Sequence, residues 1–169
     1  MNPLHSLSPE QTRLLDRLER CQASTCREAQ AALADEACRL ATRISRVREE
    51  IVHPACVPFV PWSLLSRAVI DWDLVRVLVA ETLDASPGDL LFAALLDAAH
   101  RILSALFEDE DAHNGLWATV LAAGLDVRDL DDRVGDRLRE LASAADEGWL
   151  PAMPLALETV RSSVSPPAP

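Results

Sequence analysis

Residues able to do chemistry gather at one place in the chain. The stretch LFEDEDAHNG, residues 106–115, sets Glu108, Asp109, Glu110, Asp111 and His113 at the end of a long apolar run. Asp109 and His113 are four apart and share a helix face. A carboxylate that orients and tunes an imidazole is a general acid/base pair. Three carboxylate-x-x-His pairs also occur, Glu50/His53, Asp97/His100 and Glu110/His113, the spacing with which ferritin-like bundles hold iron from within. Helical phase separates them. At about 100° per residue, His53 falls opposite Ile44 and faces outward. His100 shares a wet side with Asp97, Arg101, Ser104, Glu108 and Asp111, while an apolar arc centred on Leu95, Ile102 and Leu106 continues onto Asp109 and His113.

The elements that must position these groups are helical. Ser8-Pro9-Glu10-Gln11, Thr25-Cys26-Arg27-Glu28, Ser86-Pro87-Gly88-Asp89 and Asp126-Val127-Arg128-Asp129 each read as a helix start. They predict helices over 9–22, 26–52, 62–84, 87 into the acidic run, and 127–145. The link VHPACVPFVP, with three prolines, is expected to end the second. Its stripe is Leu33, Ala37, Leu40, Ile44, Val47 and Ile51, with Arg48 close to it; the third helix aligns Leu65, Ala68, Trp72, Val75, Val79 and Leu83. The first contributes Leu14, Leu18 and Cys21, with Gln11 in line. No β-alternation is visible. An all-α antiparallel four-helix bundle with a short fifth helix buries these stripes most simply. The fifth is expected to cover the extra apolar face made by Phe92, Leu96 and Leu103. Residues 1–148 read as one domain and the Pro-rich 149–169 as a disordered tail.

The phrase REEIVHPA at the end of the second helix, the capped fourth helix ending in acids, and AGLDVRDLDDRVGDRLREL together resemble the hemerythrin-like (HHE cation-binding) family over roughly residues 8–145. That resemblance implies two irons held between four helices by histidines and carboxylates. Transferred position by position, the ligands are lost. Gln11 stands near the place of the first histidine, Ile44 and Arg48 in the His-x-x-x-Glu of the second helix, and Trp72 in that of the third. In the fourth, spacing points to Glu108 and Ala112, phase to Asp109 and His113. Ile44 offers no ligand and Arg48 brings a fixed positive charge, so no metal site is expected, and iron only if the family function persists despite the loss. Asp109 is expected to meet Arg48 across the former metal cavity, lined by Gln11, Ile44, Arg48, Trp72, Asp109 and His113.

Charge narrows the partners. A net −11 opposes nucleic acid and anionic lipid. The sixteen basic residues are all Arg, a bias that reads as bacterial base composition and removes Schiff-base chemistry. Apolar runs are broken by charge, and MNPLHSLSPEQ has no leader pattern, so a cytoplasmic, non-membrane chain is expected. Cys21, Cys26, Cys38 and Cys56 follow no CxxC spacing and read as buried thiols. The expectation is a metal-free binding or regulatory protein, monomeric or homodimeric, whose partner is a small molecule in the former cavity or another protein. The alternative is an enzyme in which Asp109 and His113 form the acid/base pair and Arg48 anchors an anion; a metal-binding protein with unusual ligands is the third reading.

Overall fold

The computed structural model describes residues 2–143, so the tail at 149–169 and the last residues of the expected fifth helix lie outside it. All regular structure among the described residues is helical. The long helices are α1 (Ser8–Ala23), α2 (Arg27–Val47), α4 (Trp62–Asp84) and α5 (Leu90–Asp111). Each packs on two of the others: α1 on α2 and α5, α4 on the same two. The expected stripes form the core between them. Gln11, Leu14, Leu18, Ala37, Leu40, Ile44, Leu65, Ala68, Trp72 and Val75 are all buried, which removes their apolar area from water.

Three features depart from the sequence expectation. The first is the end of α2. The chain does not break at Pro54; it widens into a π-helical turn, Arg48–Val52, and continues as α3 (His53–Cys56). The His53 N–H reaches back five residues to the Arg48 carbonyl. A proline lacks the N–H for a normal helical bond and crowds the carbonyl four residues back, and the wide turn relieves both demands. The second is the phase of α5. Its buried residues are Phe92, Leu96, Ala99, Leu103, Leu106 and Glu110, steps of four and three that run onto Glu110 rather than Asp109. Because α5 is apolar through a wide arc, a stripe centred on Leu95 and one centred on Leu96 fit its sequence equally well.

The third is α7 (Val127–Ser143), which packs on α2 and the π turn rather than covering α5. Arg137 donates to Glu50 at 2.8 Å, and Asp131 accepts the Ser6 N–H at 2.9 Å. Leu90, Leu91, Ile70 and Leu74 consequently remain exposed on α5 and α4. The stretch Leu90–Ala122 contains an 18-residue window long and apolar enough by mean hydropathy to cross a membrane, and a third of that window is buried in this fold. The ion pair Asp97–Arg101 sits within α5 at 2.7 Å.

Of the expected caps, Asp126 behaves as one, its Oδ1 accepting the N–H groups of Arg128 and Asp129. No side-chain cap forms at Ser8, where the preceding turn already supplies Leu7 as the flanking residue, or at Cys26 ahead of α2. Ser86 instead closes a turn through its carbonyl, so α5 starts at Leu90. A further short helix, α6 (Leu116–Ala122), follows the acidic run.

Gly115 joins α5 to α6 and presses on the α5 backbone. A Cβ there would lie 2.2 Å from the Asp109 carbonyl oxygen and 2.6 Å from that of Glu110. Gly115→Ala is therefore expected to destabilise the fold by about 1–3 kcal/mol. Urea unfolding monitored by circular dichroism measures it; Gly124→Ala, where no atom lies within 4 Å, is the control for left-handed backbone strain alone.

Candidate functional site

The core of the helical assembly holds an ion pair. Arg48, at the first residue of the π turn, is fully buried, and its Nη2 donates to Glu110 Oε1 on α5. The guanidinium carbon lies 5.1 Å from the centroid of the Trp72 ring, and Phe107 packs on that indole with centroids 6.1 Å apart. Arg48 is thus held by a carboxylate and by an aromatic face, the two attractions that a buried guanidinium uses best. Burial pulls its pKa down from the ordinary guanidinium range to about 9, which still leaves it protonated at neutral pH.

The sequence placed Asp109 opposite Arg48; the structure places Glu110 there. Asp109 sits on the surface, paired with Arg67 at 2.8 Å, and His113 is exposed. An exposed Asp109, an exposed His113 and a fully buried Arg48 do not converge on one reacting centre. The other members of the expected cavity, Gln11, Ile44 and Trp72, are buried. Gln11 Oε1 accepts from Asn2 at 2.7 Å. Several polar atoms in this core have no protein partner: Arg48 Nε and Nη1, Glu110 Oε2, Gln11 Nε2, and the indole nitrogens of Trp72 and Trp117. All but the carboxylate oxygen are donors.

The carboxylate-x-x-His pairs separate likewise. Glu50 belongs to Arg137, Asp97 to Arg101, and His100 meets Glu19 at 3.3 Å. Glu110 is in the core while His113 is outside. Among the described residues, no group of three or more His, Cys, Asp or Glu is placed to hold a metal ion. Cys21, Cys38 and Cys56 are buried but Cys26 is exposed, beside Glu28 at 3.1 Å. Desolvation pushes Cys38 up to about 12 and Cys56 up to about 11, so both remain thiols.

One element of chemistry was misplaced by ideal helical phase. His53 does not face outward: the π turn advances the chain by less than 100° per residue, so a histidine beyond it lags toward α4. Its Nε2 is shut from water with no hydrogen-bond partner. Desolvation first, and then the charge of Arg48, push it down to about 3. It lines a cleft of about 340 Å³ between α2, α3 and α4, together with Trp62, Leu65 and Trp72 and the rim residues Glu49, Asp73 and Arg76. Arg76 bridges Glu49 at 3.2 Å and Asp73 at 3.5 Å. Burial raises the Asp73 carboxyl, and Glu49 adds to the rise against the pull of Arg76. A second, smaller cleft of about 160 Å³ reaches Glu110 from the other side of α4, past Arg67, Asp71 and Asp109. His-Pro within an otherwise helical pattern was the one sequence signal for the turn that builds the first cleft. Comparison with protein-family models, curated proteins and solved structures finds no match to this chain.

Two outcomes test this geometry. Glu110→Leu leaves Arg48 buried without its carboxylate and is expected to cost about 3–5 kcal/mol, most of it recovered in Arg48→Met/Glu110→Leu. Asp109→Leu should change stability by under about 1 kcal/mol, because the Arg67 pair is exposed. A urea double-mutant cycle in which Arg48 couples to Asp109 and not to Glu110 contradicts the assignment. The second outcome concerns His53. As pH falls below 6.5 the unfolded chain takes up a proton at this imidazole, while the native state does so only near 3. Stability is complete above 6.5 and is lost toward 3. His53→Gln should flatten that loss by about 3 kcal/mol between pH 6.5 and 4, read from urea midpoints at each pH.

Proposed function

We propose that this chain is a hemerythrin-like antiparallel four-helix bundle whose di-iron site has been replaced by an ion pair, and that it works as a metal-free binding protein for a small molecule. The observation that carries this reading is Arg48, fully buried and bonded to Glu110 where the resemblance would put a carboxylate ligand. A fixed cation at that point repels a metal dication, and the ion pair supplies the charge balance that metal and ligands would otherwise give. The pairwise packing of α1, α2, α4 and α5 suits such a bundle. Ile44 and Trp72, in the places of ligating histidines, are buried and fill volume.

Binding is favoured over catalysis by what the two clefts contain. His53, with its proton affinity pushed far down, makes a weak base at neutral pH. The expected Asp109 and His113 pair stands apart from Arg48 on the exposed side. Perturbed titratable groups in an apolar-walled cleft, with few polar atoms aimed at one place, are what a small-molecule site requires.

Elemental analysis of untagged protein, purified without added metal or chelator, is expected to find iron far below one equivalent. Added ferrous iron should leave the melting temperature unchanged. About two irons per chain, as a di-iron carboxylate bundle holds, would overturn the proposal.

A further inference from the structure

The outer side of α4 and α5 is more apolar than the core requires. Ile70 is 58%, Leu74 44% and Leu91 62% exposed there, because α7 packs on α2 and the π turn instead. The Arg67–Asp109 pair joins α4 to α5 near one end and the short link 85–89 joins them at the other, so the two helices lie side by side. Half-buried Leu78, Leu95 and Ile102 continue the same surface. The apolar 18-residue window of this segment is only one-third buried, so two-thirds of it serves no contact within the fold. Single exposed leucines need no explanation, but a contiguous apolar face marks an interaction site.

The order of residues on α4 identifies what covers that face. At about 100° per residue, Arg67, Ile70, Leu78 and Glu81 all fall within about 40° of Leu74. They are also symmetric in sequence about it, with an aliphatic residue four positions away on either side and opposite charges seven positions away. Two antiparallel copies of α4 crossing at Leu74 bring each residue opposite the one equally far on the other side. Leu74 then meets Leu74, Ile70 meets Leu78, and Arg67 meets Glu81, which is the self-complementary arrangement a two-fold interface demands. Arg67 is 70% exposed and Glu81 is exposed, so both are free to reach across. Asp71 stands at the edge of the stripe, within reach of the Arg67 charge. A chain of net −11 repels its own copies everywhere except where acids are sparse or matched by arginine.

We infer that the α4–α5 face is a homodimer interface in which α4 of one copy packs antiparallel on α4 of a second, centred on Leu74 and closed at both ends by Arg67–Glu81 pairs between copies. The face is two helices wide, about 20 Å, and about 27 Å long from Leu91 to Asp109. A dimer therefore buries on the order of 1,000 Å², the lower bound of a specific interface, and a dissociation constant of about 10 µM follows. The inference stands independently of what the core binds.

Sedimentation equilibrium of the full chain from about 1 to 200 µM tests it, spanning the expected constant. The mass should rise from that of one chain to that of two, and Leu74→Glu should hold it at one. Glu81→Arg is the decisive variant. It reduces the negative charge of the chain, which by itself favours self-association, but it sets two arginines against each other across the axis and should weaken the dimer about tenfold. Arg67→Glu/Glu81→Arg, with the net charge unchanged, should restore it. A monomer at about 200 µM means that the face is covered by the chain's own C-terminal segment or by a different partner, and overturns the inference. So does a Glu81→Arg dimer as tight as the parent or tighter, or a double variant that fails to recover. If Leu74→Glu does not fold, the charge variants still decide, because both positions are exposed. Iron in the purified protein would defeat the metal-free reading without altering these masses, so the two failures are distinct.

Discussion

A charge held in the middle of the core organises this protein. Arg48 has no exposed surface, and a guanidinium in that position is tolerable only with a carboxylate on it and a polarisable ring beside it. Glu110 and Trp72 meet those demands from two different helices, α5 and α4, while Arg48 comes from the end of α2. Three helices are therefore tied at one point. Hydrophobic burial alone leaves helices free to slide and rotate against each other by small amounts; a buried ion pair does not. The phase of α5 follows, since only one rotation puts Glu110 inside, and Gly115 lets α6 close directly against the back of that turn.

The π turn is the second consequence. Arg48 is its first residue, and the turn carries the chain past Pro54 without ending the helix. It also sets the direction of everything that follows. His53 turns toward α4, Cys56 is buried within reach of the Arg48 charge, and Glu50 is left at the surface for Arg137 of α7. The same local widening thus forms part of the wall of the larger cleft and the docking edge for α7.

Much of the framework was legible in residue order. The stripes of the first three long helices, with Gln11, Ile44, Arg48 and Trp72 on them, face the core as their three-and-four spacing requires, with Leu33, Ile51 and Leu83 half-buried at its edge. The cap at Asp126 was legible too. Legibility failed where the pattern had no contrast or where helix geometry changed. In α5, Leu95 and Leu96 belong to overlapping apolar arcs, and the difference between Asp109 and Glu110 is one residue of rotation. Beyond Arg48, ideal phase put His53 on the wrong side because nothing in the spacing announces a five-residue turn.

The sequence by itself determined that this chain is helical, where its cores begin, and that Arg48 and Trp72 stand on inward stripes, because amphipathic periodicity is a local property of neighbouring residues. Tertiary structure decided which acid meets Arg48, where α7 docks, and that His53 enters a cleft. Those outcomes depend on the rotation of one helix against another and on a change of helical pitch. Both are set by the cost of leaving a buried charge unpaired, which is a property of the assembled core.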